Sequence, residues 1–253
     1  MGRPNKPPRP VVTGILVVDK PLGISSMAAV NVVRARAGGT RTGHAGTLDP
    51  LATGVLVLAL GKATKEISHF MATDKRYATV IDLTAFTTTD DMEGERTEVD
   101  VAQPPSESDV LVVLEKFTGR IMQRPPQRSA IKIGGQRAYA LSRRGETVEI
   151  PARPVDVYRL EIRRYDWPEL ELYVHCGKGT YIRSLAHDIG EALGTGGHCH
   201  SLRRLAVGPF VEDAAAVLEQ VPDPLTEQDL IPIDAALQLI DDHTRRFGQA
   251  DSG

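Results

Sequence analysis

A chain of 253 residues, 41% hydrophobic and 25% charged, can bury a core without staples, and its two cysteines, outside any CxxC spacing, exclude a disulfide framework and a structural zinc site. The net charge of −3 hides a division: ten acidic groups against Arg245 and Arg246 put residues 211–253 at −8, so residues 1–210 carry +5. No apolar run nears the ~20 residues of a membrane span, and the basic, proline-rich residues 1–11 lack a signal peptide's apolar centre, which predicts a flexible N-terminal tail and a cytoplasmic location.

In chain order, Gly14 to Val18 predicts a short strand and Asp19-Lys20-Pro21-Leu22-Gly23 a turn. Ser25 or Ser26 then caps a helix carrying Met27, Val30 and Val33 on its apolar side and ended by Gly38-Gly39. Val55 to Leu60 is a continuous apolar run closed by Gly61, the pattern of a strand covered on both faces. A strand is predicted from Tyr77 to Phe86 and a polar loop from Thr87 to Glu98. Ser106 and Asp109 match a capping box for a helix that aligns Val110, Val113, Leu114 and Phe117 and stops at Gly119.

From Arg120 to Arg144 seven basic residues occur with no acidic one between them, around Pro125-Pro126 and Gly134-Gly135. The segment reads as an inserted loop with one short helix, Arg137 to Arg144, and its charge suits a phosphate backbone. Strands follow at 155–165 and 169–176, the second alternating Leu170, Leu172, Val174 and Cys176 with wetter positions. Gly177-Lys178-Gly179 turns into a helix with Ile182, Leu185, Ala186, Ile189 and Leu193 on its apolar side, placing Arg183, His187 and Glu191 elsewhere, and Gly194 to Gly197 end it. Residues 212–220 and 233–242 read as two further helices. Without strict βαβ alternation, the fold class is α+β, with a mixed, largely antiparallel central sheet flanked by helices.

The chemistry concentrates in Gly43-His44-Ala45-Gly46-Thr47-Leu48-Asp49-Pro50-Leu51-Ala52-Thr53-Gly54, which sets one carboxylate in a glycine-rich turn at the mouth of a buried strand. Pro50 biases Asp49 away from the helical region. Other signals fail: Gly177 and Gly179 lack the third glycine of a dinucleotide fingerprint, no P-loop or G-x-S-x-G elbow is present, and His198-Cys199-His200 fits no usual zinc spacing.

Five segments occur in order: Val18 to Gly23; Gly43 to Gly54; Asp74-Lys75-Arg76-Tyr77; Lys178-Gly179-Thr180-Tyr181-Ile182-Arg183; and Ser201-Leu202-Arg203-Arg204-Leu205-Ala206-Val207. Together they resemble the TruB family of tRNA pseudouridine-55 synthases over most of residues 12–210. The resemblance implies the pseudouridine synthase fold and an isomerase that needs neither redox cofactor nor metal. It implies that Asp49 is the catalytic nucleophile, with attack at C6, attack at C1′ and removal of a ribose proton all open. Arg183 matches the arginine that pairs with that aspartate, and Tyr77 the tyrosine that stacks on the target uracil and helps remove the C5 proton.

His44 matches the histidine near the gap left by the extruded base, and the resemblance further implies that Tyr181 and Leu202 line the uridine pocket and that Lys20 supports the tyrosine and the active-site floor. Residues 124–149 correspond to an insertion that folds over the RNA stem-loop. The implied partner is the tRNA T-arm, with no membrane, no obligatory protein partner and a monomeric state. Where many relatives carry a PUA-like domain, residues 211–253 predict only a short acidic helical region. Competing readings are an RNA-guided ribosomal RNA pseudouridine synthase and a tRNA-folding chaperone for which modification is secondary. A retaining glycosidase is disfavoured, because it needs a second carboxylate ~5 Å away and none accompanies Asp49.

Overall fold

The computed structural model describes residues 11–126, 132–133, 136–137 and 150–250. Its elements run β1 (Gly14–Lys20), α1 (Ser26–Arg36), β2 (Thr42–His44), β3 (Ala52–Leu60), α2 (Ile67–Ala72), β4 (Lys75–Asp82), β5 (Ala85–Thr87), β6 (Arg96–Glu98), α3 (Glu107–Lys116) and β7 (Gly119–Gln123). They continue with β8 (Lys132–Ile133), β9 (Gln136–Arg137), β10 (Arg153–Asp166), β11 (Glu169–Cys176), α4 (Ile182–Leu193), β12 (His198–Val207), β13 (Phe210–Val211), β14 (Ala216–Val217) and α5 (Ile233–Ala250). The class is α+β, with mixed but mainly antiparallel pairing. Two compact units divide the chain: one holds the residues up to Thr73 and from Arg204 onward, the other Asp74–Arg203.

In the first unit β1 lies antiparallel to β3 from Gly14↔Leu60 to Lys20↔Gly54, with β14 parallel to β1 and β2 antiparallel to β3. The Val55–Leu60 run is buried throughout, as its lack of alternation predicts. Val55, Val57 and Ala59 join Ile15, Val17, Phe70 and Phe210 in a core on which Ala236 and Ile240 of α5 are seated. Ser25 caps α1 by accepting the Ala28 N–H at 3.1 Å. Met27 is exposed, contrary to its predicted place: the buried stripe runs through Ser26, Ala29, Val30 and Val33, and position 27 falls off it. The helix expected over 212–220 is instead β14 between two short 3₁₀ turns, because Ala216 and Val217 pair with Val18 and Asp19.

The second unit orders its strands β4-β11-β10-β7, all antiparallel. The strand predicted over Tyr77 to Phe86 breaks after Asp82, whose carboxylate accepts the Thr84 N–H at 2.8 Å and turns the chain into β5. The predicted polar loop contains β6, paired with β5. The Ser106–Asp109 capping box and the buried Val110, Val113 and Leu114 of α3 match the sequence, as do the alternation of β11 and the left-handed Gly194 that ends α4. β7 was not foreseen: its partner β10 begins thirty residues farther along, so nothing local marks it. Arg137, expected to open a helix, lies in β9 opposite Lys132, and the remainder of that helix and most of the 124–149 insertion fall outside the described residues. Arg183, expected off the buried side of its helix, is 4% exposed. Among the described residues no helix is long and apolar enough to cross a membrane.

Candidate active site

In the first unit the Asp49 turn is fastened from both sides. Ser26 Oγ donates to the Leu48 carbonyl at 2.8 Å and accepts the Leu48 N–H at 2.7 Å, while Gly23 N–H donates to the Pro50 carbonyl at 2.8 Å. Ala52 N–H closes the turn onto the Asp49 carbonyl at 3.0 Å. A half-buried carboxylate is thereby held on a rigid backbone just before β3.

Two cations lie under this turn. Lys20 ends β1 fully buried, its Nζ donating to the carbonyls of Pro21 and Ile24 at 2.8 and 2.7 Å. Burial lowers its pKa to about 8; Asp49 opposes that shift and Arg204 adds to it. Arg204 is 1% exposed, with Nε donating to the Val55 carbonyl at 2.7 Å and Nη2 to the Gly46 carbonyl at 3.2 Å. Gly54 lets this approach happen: its φ is +99°, and a Cβ there would collide with the Arg204 backbone. His44 sits in the same field. Desolvation, then Arg204, pushes its pKa below the usual value, so the ring is neutral at neutral pH. Its buried Nδ1 has no hydrogen-bond partner among the described residues.

The second unit carries the other predicted residues. Tyr77 lies on β4 opposite Val174, buried, and Thr79 on the same face of that strand donates to the Ser201 carbonyl at 2.8 Å, beside the buried Leu202. At the start of α4, Arg183 donates from Nη1 to the Thr89 carbonyl at 2.9 Å and to Asp91 Oδ2 at 3.2 Å. Asp91 is itself set by Glu93 N–H at 3.0 Å on Oδ1 and by Thr87 Oγ1 at 2.7 Å on its carbonyl. Tyr181 precedes that helix, with its N–H and C=O both engaged by the side-chain amide of Gln123.

Lys20, His44 and Asp49 therefore belong to one unit, and Tyr77, Tyr181, Arg183 and Leu202 to the other. Sequence reasoning missed Ser26, Asp91, Gln123 and Arg204 as parts of this machinery. Arg204 was visible inside the Ser201 to Val207 motif, whereas Asp91 and Gln123 carry no local signal.

Two successive stretches of the chain match known families. Residues 34–182 match the family "TruB family pseudouridylate synthase (N terminal domain)", and residues 183–239 match "tRNA pseudouridylate synthase B C-terminal domain". The tRNA pseudouridine synthase B of Corynebacterium diphtheriae is 48% identical over 220 residues, covering 83% of this chain and 73% of its own. That of Rhizobium meliloti is 43% identical over 254 residues, covering 100% and 76%. Among solved structures, a chain of a Cbf5-Nop10-Gar1 complex aligns with a TM-score of 0.65 and 32% identity over 82% of this chain and 53% of its own. A chain of an H/ACA RNP bound to a substrate RNA containing 2′-deoxyuridine aligns with a TM-score of 0.66 and 26% identity over 89% and 61%.

Proposed function

The chain belongs to the TruB family of pseudouridylate synthases, and from that premise we propose that it converts uridine 55 of the tRNA T-loop to pseudouridine with Asp49 as the nucleophile. The observation that carries this reading is the Asp49 turn: a carboxylate fixed through the Leu48 peptide, with the Lys20 and Arg204 cations beside it. Such surroundings favour the ionised form when an RNA covers the site and water leaves.

The reaction breaks the N1–C1′ bond, turns the uracil and forms the C5–C1′ bond. The C5 hydrogen leaves as a proton and N1 regains one, so atoms and electrons balance without an external oxidant. The nucleotide must first leave its stack. In this reading neutral His44, with its unpartnered Nδ1, lies near the vacated position. Tyr77 stacks on the uracil and helps take the C5 proton, Tyr181 and Leu202 line the pocket, and Arg183 serves the Asp49 carboxylate. Lys20 supports the floor. Residues 124–149 follow the phosphates of the T-arm stem, so binding weakens with salt. The enzyme works as a monomer without an obligatory protein partner, with residues 12–210 as the catalytic domain and 211–253 as a short acidic C-terminal region.

The tRNA reading is favoured over an RNA-guided one by identities of 48% and 43% to tRNA enzymes, against 32% and 26% to chains of the Cbf5 and H/ACA structures, and by the C-terminal match at 183–239. Carbodiimide mapping of an unmodified tRNA transcript after incubation tests the assignment. One new pseudouridine at T-loop position 55 is expected, and modification elsewhere or none would refute it.

A further inference from the structure

The segment Gly179–Tyr181, which leads into the helix bearing Arg183, is clasped by a cross-strand pair. Gln123 ends β7, Arg153 begins β10, and the two face each other in the ladder. Gln123 is 1% exposed, and its side-chain amide makes a two-point contact with one peptide residue: Nε2 donates to the Tyr181 carbonyl at 3.0 Å and Oε1 accepts the Tyr181 N–H at 2.8 Å. Arg153 donates from Nη2 to the Gly179 carbonyl at 2.8 Å and sets its guanidinium 5.5 Å from the centre of the Tyr181 ring.

Helix α4 has no side-chain N-cap of its own. Tyr181 is its N-cap residue, and the Tyr181 carbonyl also accepts the first helical bond, from Leu185 N–H at 3.1 Å. A side chain from a different strand thus fixes the torsions at which the helix begins, and with them the directions of Tyr181 and of Arg183 two residues later. A glutamine is suited to this because one planar amide offers a donor and an acceptor side by side.

We propose that Gln123, backed by Arg153, is a positioning residue for the reaction, holding Tyr181 and Arg183 in their working orientation before RNA arrives. This rests on the pseudouridine synthase reading, in which those two residues serve the uridine. The role is preorganisation, so its loss should appear in the chemical step rather than in RNA capture.

The test compares wild type, Gln123→Met and Gln123→Glu by single-turnover tritium release from a C5-tritiated tRNA transcript, alongside tRNA binding and thermal melting. Gln123→Met keeps the size and loses both polar contacts, and should release tritium roughly 10- to 100-fold more slowly with tRNA affinity within about threefold of wild type. Gln123→Glu adds a readout that a packing role would not move. Burial raises its pKa against the opposing pull of the Arg153 guanidinium on the facing strand, and the protonated acid can donate to the Tyr181 carbonyl while accepting the Tyr181 N–H. Its rate relative to wild type should therefore approach one at pH 6 and fall as pH rises, while that of Gln123→Met stays flat. A Gln123→Met rate equal to wild type, a Gln123→Glu ratio independent of pH, or a loss of tRNA affinity matching the loss of rate would overturn the proposal. If wild type itself releases no tritium, the failure belongs to the pseudouridine synthase reading instead.

Discussion

Ser26, the first residue of α1, uses one hydroxyl oxygen to hold both polar groups of Leu48, donating at 2.8 Å and accepting at 2.7 Å. The residue before Asp49 is thus fastened to a helix 22 positions earlier, and the carboxylate inherits the rigidity of that helix. Ser26→Ala strips the partner from two backbone groups without changing the packing volume much. Urea unfolding should show a loss of about 1–3 kcal/mol. Single-turnover isomerisation should slow by roughly ten- to a hundredfold through misplacement of Asp49.

Arg183 and Asp91 form an ion pair at 3.2 Å with both side chains almost fully buried. Asp91→Asn should destabilise the protein by about 3–5 kcal/mol and lower the isomerisation rate with it. Gln123→Met offers a contrast: it leaves the Tyr181 N–H and carbonyl without their side-chain partner and should cost about 1–3 kcal/mol, less than Asp91→Asn, while slowing the reaction. Denaturant titration of both variants separates the two.

Much of this arrangement was legible because it is local. The unbroken Val55–Leu60 run announces a doubly covered strand, the alternation from Leu170 to Cys176 a one-sided one, and Ser106 with Asp109 a helix start. The motif around Asp49 was legible for the same reason, since turn, proline and strand follow one another directly. What stayed hidden depends on distant partners. Asp91 looks like one more polar residue in a loop until Arg183, 92 positions later, is folded against it, and Gln123 meets Tyr181 across 58 positions. Residues 212–220 carry helical spacing, yet the edge of β1 claims Ala216 and Val217 for a ladder.

Lys20 supplies a pH signature with a definite sign. Its pKa falls from 10.5 unfolded to about 8 folded, so between those values the unfolded chain binds more protons than the folded one. Through this group, stability is reduced below about pH 8 and recovers as pH rises toward 10.5. The stability of wild type minus that of Lys20→Met, from urea unfolding at several pH values, should therefore increase over that window. A flat difference would show that Lys20 is solvated.

Gly54 must remain glycine. A Cβ would meet the Arg204 backbone, and φ of +99° is strained for any L side chain. Gly54→Ala should destabilise by about 2–4 kcal/mol, since strain and overpacking act together, and chemical denaturation measures it. Gly23→Ala, where a Cβ meets nothing within 4 Å, is the control for positive φ alone (+86°) and should lose less.

Whether Asp49 performs the chemistry is read out by tritium release from an unmodified tRNA transcript carrying C5-tritiated uridine, comparing wild type with Asp49→Asn. Forming the C5–C1′ bond must expel that hydrogen. Wild type is expected to release about one equivalent and Asp49→Asn none, with tRNA binding retained in the variant. Release by Asp49→Asn at the wild-type rate would take the nucleophile's role away from Asp49.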